Sequence, residues 1–257
     1  MLVRTISLAA VAALLLTTGC RERDRIVALD LPPHRVDGVY SVTGDGEVAI
    51  HWRANQDDDI DYYKVYRNVS ATGTFTLIGT SGGTSYVDVD VVNGDTWFYA
   101  VSAVDNAGQE SPQLSVENVF DTPRPEGFNV TLTNDRTADA TSAWDFSARV
   151  RRASLDPAAD IYYDADVPGG HYLVFAAPGT LIQDAGFVDL PDVDFAPPSG
   201  WSADGVVEAI PGHSYILLTR DDHYAKFFVV SRDGGAMVMN WAYQIDPNNP
   251  ELARRLP

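Results

Sequence analysis

The sequence predicts an all-β protein made of two successive, mainly antiparallel domains. Short runs alternate apolar and polar residues with the two-residue period of a half-buried strand, as in Glu47–Trp52 and Tyr63–Arg67. Turn sequences such as Asn93–Gly94 separate these runs at roughly ten-residue intervals, which is typical of a sandwich. A helical period extends beyond two turns only in the segment 249–256.

The amino terminus has the layout of an export signal. Arg4 supplies a positive charge, and the apolar run Ser7–Leu16 follows it. That run is too short to cross a bilayer core of about 30 Å as a helix. Small residues then precede Cys20, the only cysteine in the chain. This arrangement resembles the lipobox of bacterial lipoprotein precursors, although Thr17 stands where the family usually has Leu.

The lipobox implies a signal peptide over residues 1–19 and attachment of diacylglycerol to Cys20. Each buried methylene contributes about 0.8 kcal/mol, so two or three acyl chains would anchor the protein stably. The expected localisation is therefore the bacterial cell envelope, with membrane contact through the lipid on Cys20. Because Arg21 rather than Asp follows the cysteine, the outer membrane is favoured where one exists. We expect residues 20–31 to be a tether.

Composition excludes one class of partner and one kind of cross-link. The formal net charge is −18, with 36 acidic residues against 18 Lys and Arg. Nucleic-acid binding depends on clustered Lys and Arg, so we expect no nucleic-acid partner. A single cysteine also excludes an intramolecular disulfide.

The first domain is predicted over residues 32–122. An early Trp, a Tyr-x-Val-Tyr-Arg strand and a late strand ending in Asp-x-x-Gly-x-Glu-Ser occur in order, at Trp52, Tyr63–Arg67 and Trp97–Ser111. This order resembles a fibronectin type III module. The resemblance implies a β-sandwich that acts as a spacer or as a protein-binding module. The acidic run Asp57–Asp61 lacks the Gly and Glu of a calcium-binding EF-hand, which favours a solvated loop.

We place a Pro-rich linker at 123–127 and a C-terminal β domain at 128–257. Alternation predicts one strand over Trp144–Val150, and a meander of hairpins for the last three strands of the domain. Residues 189–204 contain three prolines and are predicted to form a long surface loop.

The second domain also resembles the β-rich domain of HmuY-type haem-binding lipoproteins. The resemblance rests on three short pieces, Trp144–Phe146, Gly212–Thr219 and His223–Lys226. It implies haem uptake through paired axial histidines. The domain's histidines are His171, His213 and His223, and their spacing matches no metal-site motif, so surface or packing roles are the alternative. We assign no metal, cofactor or catalytic residue.

Six aromatic residues of the second domain either line a sugar or peptide groove or belong to its core. They are Trp144, Tyr162, Tyr163, Trp201, Trp241 and Tyr243.

Enzyme motifs are missing from the sequence. The segment Gly212–Ile216 fails the last position of a Gly-x-Ser-x-Gly elbow, and no His-Glu-x-x-His or P-loop occurs. We therefore predict a non-catalytic, membrane-anchored envelope lipoprotein that acts as a binding or interaction module, with another protein or a surface ligand as its partner. The alternatives are a haem-binding surface lipoprotein and a structural component of an envelope assembly. An exposed aromatic cleft would favour binding, whereas a flat apolar patch would favour assembly.

Overall fold

Alternating sequence runs form the strands of two β-sandwiches in the computed structural model. The structure describes residues 29–112, 114–166 and 171–255. The predicted signal peptide and Cys20 lie outside these residues. Within the described ranges the only α-helix is α1, the short Asp135–Ala138. The all-β fold class predicted from the sequence is confirmed.

The first sandwich contains seven consecutive strands and one strand from the carboxyl terminus. One sheet has the order β18-β1-β2-β5 and the other has the order β4-β3-β6-β7, and all pairs are antiparallel. The strands are β1 (Tyr40–Thr43), β2 (Val48–His51), β3 (Ile60–Asn68), β4 (Thr76–Ser81), β5 (Ser85–Asp88), β6 (Trp97–Asp105), β7 (Val119–Asp121) and β18 (Arg254–Arg255).

Two-residue periodicity explains the core of this sandwich. Val48 and Ile50 of β2 lie on one face with Trp52, and all three are buried. They pack against Tyr99 and Val101, which lie on the inner face of β6 in the opposite sheet. Burial of alternate residues on both sheets is the packing expected of a β-sandwich.

The second sandwich has two five-stranded sheets. Their orders are β10-β9-β11-β12-β14 and β13-β15-β16-β17-β8. The strands are β8 (Glu126–Thr133), β9 (Ala143–Asp145), β10 (Val150–Arg152), β11 (Ile161–Asp166), β12 (His171–Ala176), β13 (Leu181–Gly186), β14 (Val206–Glu208), β15 (Ser214–Leu218), β16 (Tyr224–Arg232) and β17 (Ala236–Tyr243). The predicted meander is confirmed, because β15 pairs with β16 and β16 with β17.

The prediction of one strand over Trp144–Val150 was wrong. The segment is a tight hairpin in which β9 and β10 pair with each other. Asp145 causes the turn, since its Oδ1 accepts hydrogen bonds from the hydroxyl of Ser147 and the amide of Ala148. Arg149 completes the turn with a φ of 60°, a left-handed conformation that is absent from regular strands.

The segment 123–127, predicted as a linker, runs through the interior. Pro123, Arg124 and Pro125 are buried, and β8 begins at Glu126. The amide of Arg124 donates to the carbonyl of Gly44 in the first sandwich. Residues 32–257 accordingly form one compact unit.

The carboxyl-terminal segment returns to the first sandwich. Its strand β18 pairs antiparallel with β1, and the amide of Thr43 donates to the carbonyl of Ala253. The described residues of 249–256 contain no helix. Two covalently distant segments, 122–126 and 251–255, therefore join the sandwiches.

The predicted surface loop 189–204 is packed against a sheet rather than fully solvated. Leu190, Val193 and Ala196 are buried, and Val193 and Ala196 form a third apolar cluster with Ile216 and Leu252. No helix in the described ranges is long and apolar enough to cross a membrane.

Gly127 of β8 packs directly against the side chain of Trp241. A Cβ at this position would lie within 3.0 Å of three atoms of the buried Trp241 indole. We expect Gly127→Ala to lower the free energy of unfolding by about 1–3 kcal/mol, the usual cost of overpacking. Urea unfolding followed by tryptophan fluorescence measures this change. The matched control is Gly82→Ala, whose added Cβ meets no atom within 4 Å. Equal stability losses in the two variants would contradict the packing argument.

Candidate functional site

A cleft of about 440 Å³ lies where the two sandwiches meet. Its walls combine apolar side chains with a small number of polar and charged groups, which is typical of ligand sites. Six chain segments contribute to it, two of them the neighbouring strands β16 and β17. They are Val42, Thr43, Gly44 and Glu47; Arg124, Glu126 and Phe128; Asp189, Leu190 and Pro191; Lys226, Phe228 and Asn240; and Ala253.

A β-bulge places an aromatic ring in this cleft. Val130 pairs with Met239 and Gly127 with Trp241, so Phe128 and Asn129 together lie opposite one residue, Asn240. Asn129 has a φ of 54°, and its backbone N–H donates to Asn240 Oδ1 at 2.9 Å. Bulges turn side chains away from the regular alternation and are frequent beside functional sites.

As a result, Phe128 faces solvent. Strict alternation over Phe128–Thr133 would put it on the same face as Val130 and Leu132, which contact the core. The bulge instead leaves Phe128 66% exposed at the cleft. The ring of Phe128 is therefore accessible to a ligand that enters the cleft.

Arg124 is a buried charged residue that lines the cleft. Its side chain is only 2% exposed, and its Nη1 lies 2.9 Å from Glu126 Oε1. This ion pair lacks hydrogen-bond alignment, so Nη1 and also Nε have no hydrogen-bond partner among the described residues. Burial lowers the pKa of Arg124 from its usual value. A buried guanidinium with unused N–H groups is costly unless something accepts from it.

Lys226 secures the wall formed by the loop 189–193. Its Nζ donates to the carbonyls of Leu190 at 2.6 Å and Val193 at 3.0 Å. The side chain is 1% exposed, and this burial lowers the pKa of Lys226 to about 6. The nearby positive charge of Arg124 acts in the same direction and is included in this value. We infer a positioning role, because both bonds hold Asp189–Pro191 against the cleft.

The remaining polar groups can exchange hydrogen bonds with a hydroxylated ligand. The carboxylates of Glu47 and Asp189 accept, whereas the amide of Asn240 both donates and accepts. With Phe128 and Phe228 on the same walls, the cleft can bind a ligand that has both apolar faces and hydroxyl groups.

The aromatic residues that the sequence suggested for a groove are elsewhere. Trp144, Tyr163, Trp241 and Tyr243 are buried in the second sandwich, as the core alternative predicts. Tyr162 and Trp201 are half-buried and do not line the cleft.

Sequence reasoning missed Phe128, Arg124 and Lys226 as site residues. The lysine did carry a signal, because it interrupts an apolar strand in a chain with only two lysines. The buried position of Arg124 had no local signal.

Two of the predicted haem histidines lie far from each other. His213 is opposite Val229 and His223 is opposite Thr219, at the two ends of the β15–β16 hairpin. Six residues of strand separate them, which is about 20 Å at 3.3 Å per residue. His213 Nδ1 is instead 3.0 Å from Asp184, and His223 Nδ1 is 3.6 Å from Asp221. These two histidines therefore do not ligate one iron.

Curated relatives share part of the chain. The chain is 33% identical over 102 residues to an amylopullulanase of Thermoanaerobacterium saccharolyticum, covering 39% of this chain and 8% of that enzyme. It is 36% identical over 89 residues to an amylopullulanase of Thermoanaerobacter thermohydrosulfuricus, covering 33% and 6%. The chain thus spans less than a tenth of either relative. No protein-family profile matches it.

Solved structures similar to the chain include fibronectin type III-like domains. A Fn3-like protein from Clostridium thermocellum is 29% identical with a TM-score of 0.31, covering 35% of this chain and 92% of that one. A DUF4466 family protein from Parabacteroides merdae is 12% identical with a TM-score of 0.40, covering 84% and 95%. Both TM-scores are below 0.5.

The contribution of Lys226 to the free energy of unfolding should depend on pH. The unfolded chain keeps the lysine proton up to an ordinary pKa of 10.5, whereas the folded chain loses it above about 6. Between these values the unfolded state binds more protons, so this group makes stability rise with pH. In Lys226→Met this contribution is absent. We therefore expect the stability of the wild type relative to the variant to increase by more than about 1 kcal/mol from pH 7 to pH 9.

Urea unfolding at the two pH values measures that difference. Lys64, the other lysine, is the control because its hydrogen bond to Glu110 raises its pKa. Its contribution is fully present below 10.5 and is lost only above that value, so Lys64→Met should shift stability equally at pH 7 and pH 9. A constant difference for Lys226→Met would show that Lys226 keeps its proton when folded.

Proposed function

We propose that this protein is an exported, lipid-anchored, non-catalytic module that binds carbohydrate in the cleft between its two sandwiches. The observation that carries this proposal is the bulge at Phe128, which places an exposed ring beside the amide of Asn240. Sugars combine apolar C–H faces with hydroxyl groups. A ring flanked by donors and acceptors matches both features.

The hydrogen-bonding groups of the cleft fit the same ligand class. The side-chain amide of Asn240 offers N–H donors, and Glu47 and Asp189 offer acceptors. A sugar hydroxyl can accept from this amide and donate to a carboxylate, so a single ligand class satisfies both.

The curated relatives add independent support. They are amylopullulanases, a name that denotes action on pullulan-type polysaccharides. The shared region is a small part of those enzymes, which is consistent with an accessory module. For this chain we therefore propose polysaccharide binding without hydrolysis.

The proposal is tested by the mobility of the mature chain in native gels that contain pullulan. We expect the wild type to be retarded, and Phe128→Ala to lose about tenfold or more in affinity. Removing a ring that buries its face on a ligand costs about 1.5–3 kcal/mol, and 1.4 kcal/mol is a factor of ten.

Phe187→Ala is the matched control for this test. Phe187 is 79% exposed, does not line the cleft and packs on His213. It should bind like the wild type, with both variants checked by thermal unfolding. Equal loss in both variants, or release of reducing ends from pullulan by the wild type, would contradict a non-catalytic site at Phe128.

Anchoring through Cys20 is tested separately in cells. We expect the wild type to incorporate labelled palmitate and to sediment with membranes, whereas Cys20→Ser should do neither. Thr17→Leu, which restores the residue usual in the lipobox, should keep both properties. Membrane sedimentation of Cys20→Ser without label would exclude the lipid anchor.

A further inference from the structure

A second cavity extends the cleft along the junction of the sandwiches. It has a volume of about 490 Å³ and is lined by Tyr40, Val42, Pro191, Asp192 and Asp194. Val42 and Pro191 also line the first cleft, so the two cavities are neighbours with a common wall. Together they form a groove between the first sandwich and the loop that Lys226 anchors.

The groove has an aromatic ring in each of its two parts. Phe128 lines only the first cavity, and Tyr40 lines only the second. Tyr40 is half-buried at the start of β1, and its ring is stacked on His51 with centroids 5.0 Å apart and an interplanar angle of 17°. This stacking holds the ring in one orientation, which reduces the entropy lost when a ligand packs against it.

We propose that the groove holds an internal stretch of a linear, neutral oligosaccharide, with one subsite at Phe128 and a second at Tyr40. This inference rests on the proposed function and names its ligand class. Two rings separated by a shared wall suit consecutive parts of one chain, whereas a monosaccharide contacts only one of them.

The charge of the groove selects against acidic polymers. Carboxylates occur along both parts, with Glu47 and Asp189 in the first cavity and Asp192 and Asp194 in the second. Arg124 is already paired with Glu126. A uronic-acid polymer would therefore meet repulsion at every subsite, whereas the hydroxyls of a neutral chain can donate to these oxygens.

Isothermal titration of the mature chain with malto-oligosaccharides, from maltose to maltoheptaose, tests the inference. We expect affinity to rise with chain length and then level off once both subsites are filled. Phe128→Ala should weaken binding of every oligomer. Tyr40→Ala should weaken binding of the long oligomers about tenfold, the effect of removing roughly 1.4 kcal/mol of ring contact, and leave maltose unchanged.

Two further variants make the result specific. Tyr40→Phe keeps the ring and should retain the affinity for long oligomers. Tyr62→Ala removes a half-buried tyrosine of the first sandwich that lines neither cavity, and should bind like the wild type.

The possible failures are distinguishable. Affinity that is independent of length, with Tyr40→Ala binding like the wild type, would overturn the second subsite and leave the proposed function intact. Tighter binding of oligogalacturonates or of deacetylated chito-oligosaccharides would overturn the neutral ligand class. No binding of any saccharide by the wild type would overturn the proposed function and this inference together.

Discussion

Between the two sandwiches the backbone crosses in a buried, hydrogen-bonded segment rather than in a solvated linker. The amide of Gly94 in the first sandwich donates to the carbonyl of Pro123, and the amide of Tyr243 in the second donates to that of Pro125. The return of the carboxyl terminus to β1 adds a second connection. Buried backbone groups need partners, so this double crossing ties the sandwiches together and sets the walls of the cleft.

The cleft follows from that constraint. Its lining combines residues 42–47 of the first sandwich, the loop residues 189–191, the crossing segment at 124–128 and side chains of β16 and β17. Neither sandwich could form the site alone. Lys226 holds the loop 189–193 in place through two hydrogen bonds to its carbonyls. This wall is therefore formed before a ligand arrives, which reduces the entropy cost of binding.

Three departures from ordinary β-sheet rules occur at this one place. They are the left-handed Asn129 within a strand, the exposed Phe128 and the incompletely bonded, buried Arg124. Sequences that fold well satisfy local rules, and exceptions gather where a protein acts. Trp144, Trp241 and their neighbours in the second sandwich obey those rules, since they are packed in the core.

The sequence by itself determined the all-β class, most strand positions and the final meander, because these depend on local periodicity and on turn residues. It failed where one side chain changed the local path, as Asp145 does between β9 and β10. The cleft was decided only by tertiary structure. Its residues extend from Val42 to Ala253, and alternation tells which face of a strand a side chain occupies but not what packs against that face. The bulge at Phe128, the burial of Arg124 and the loop above Lys226 all depend on such non-local packing.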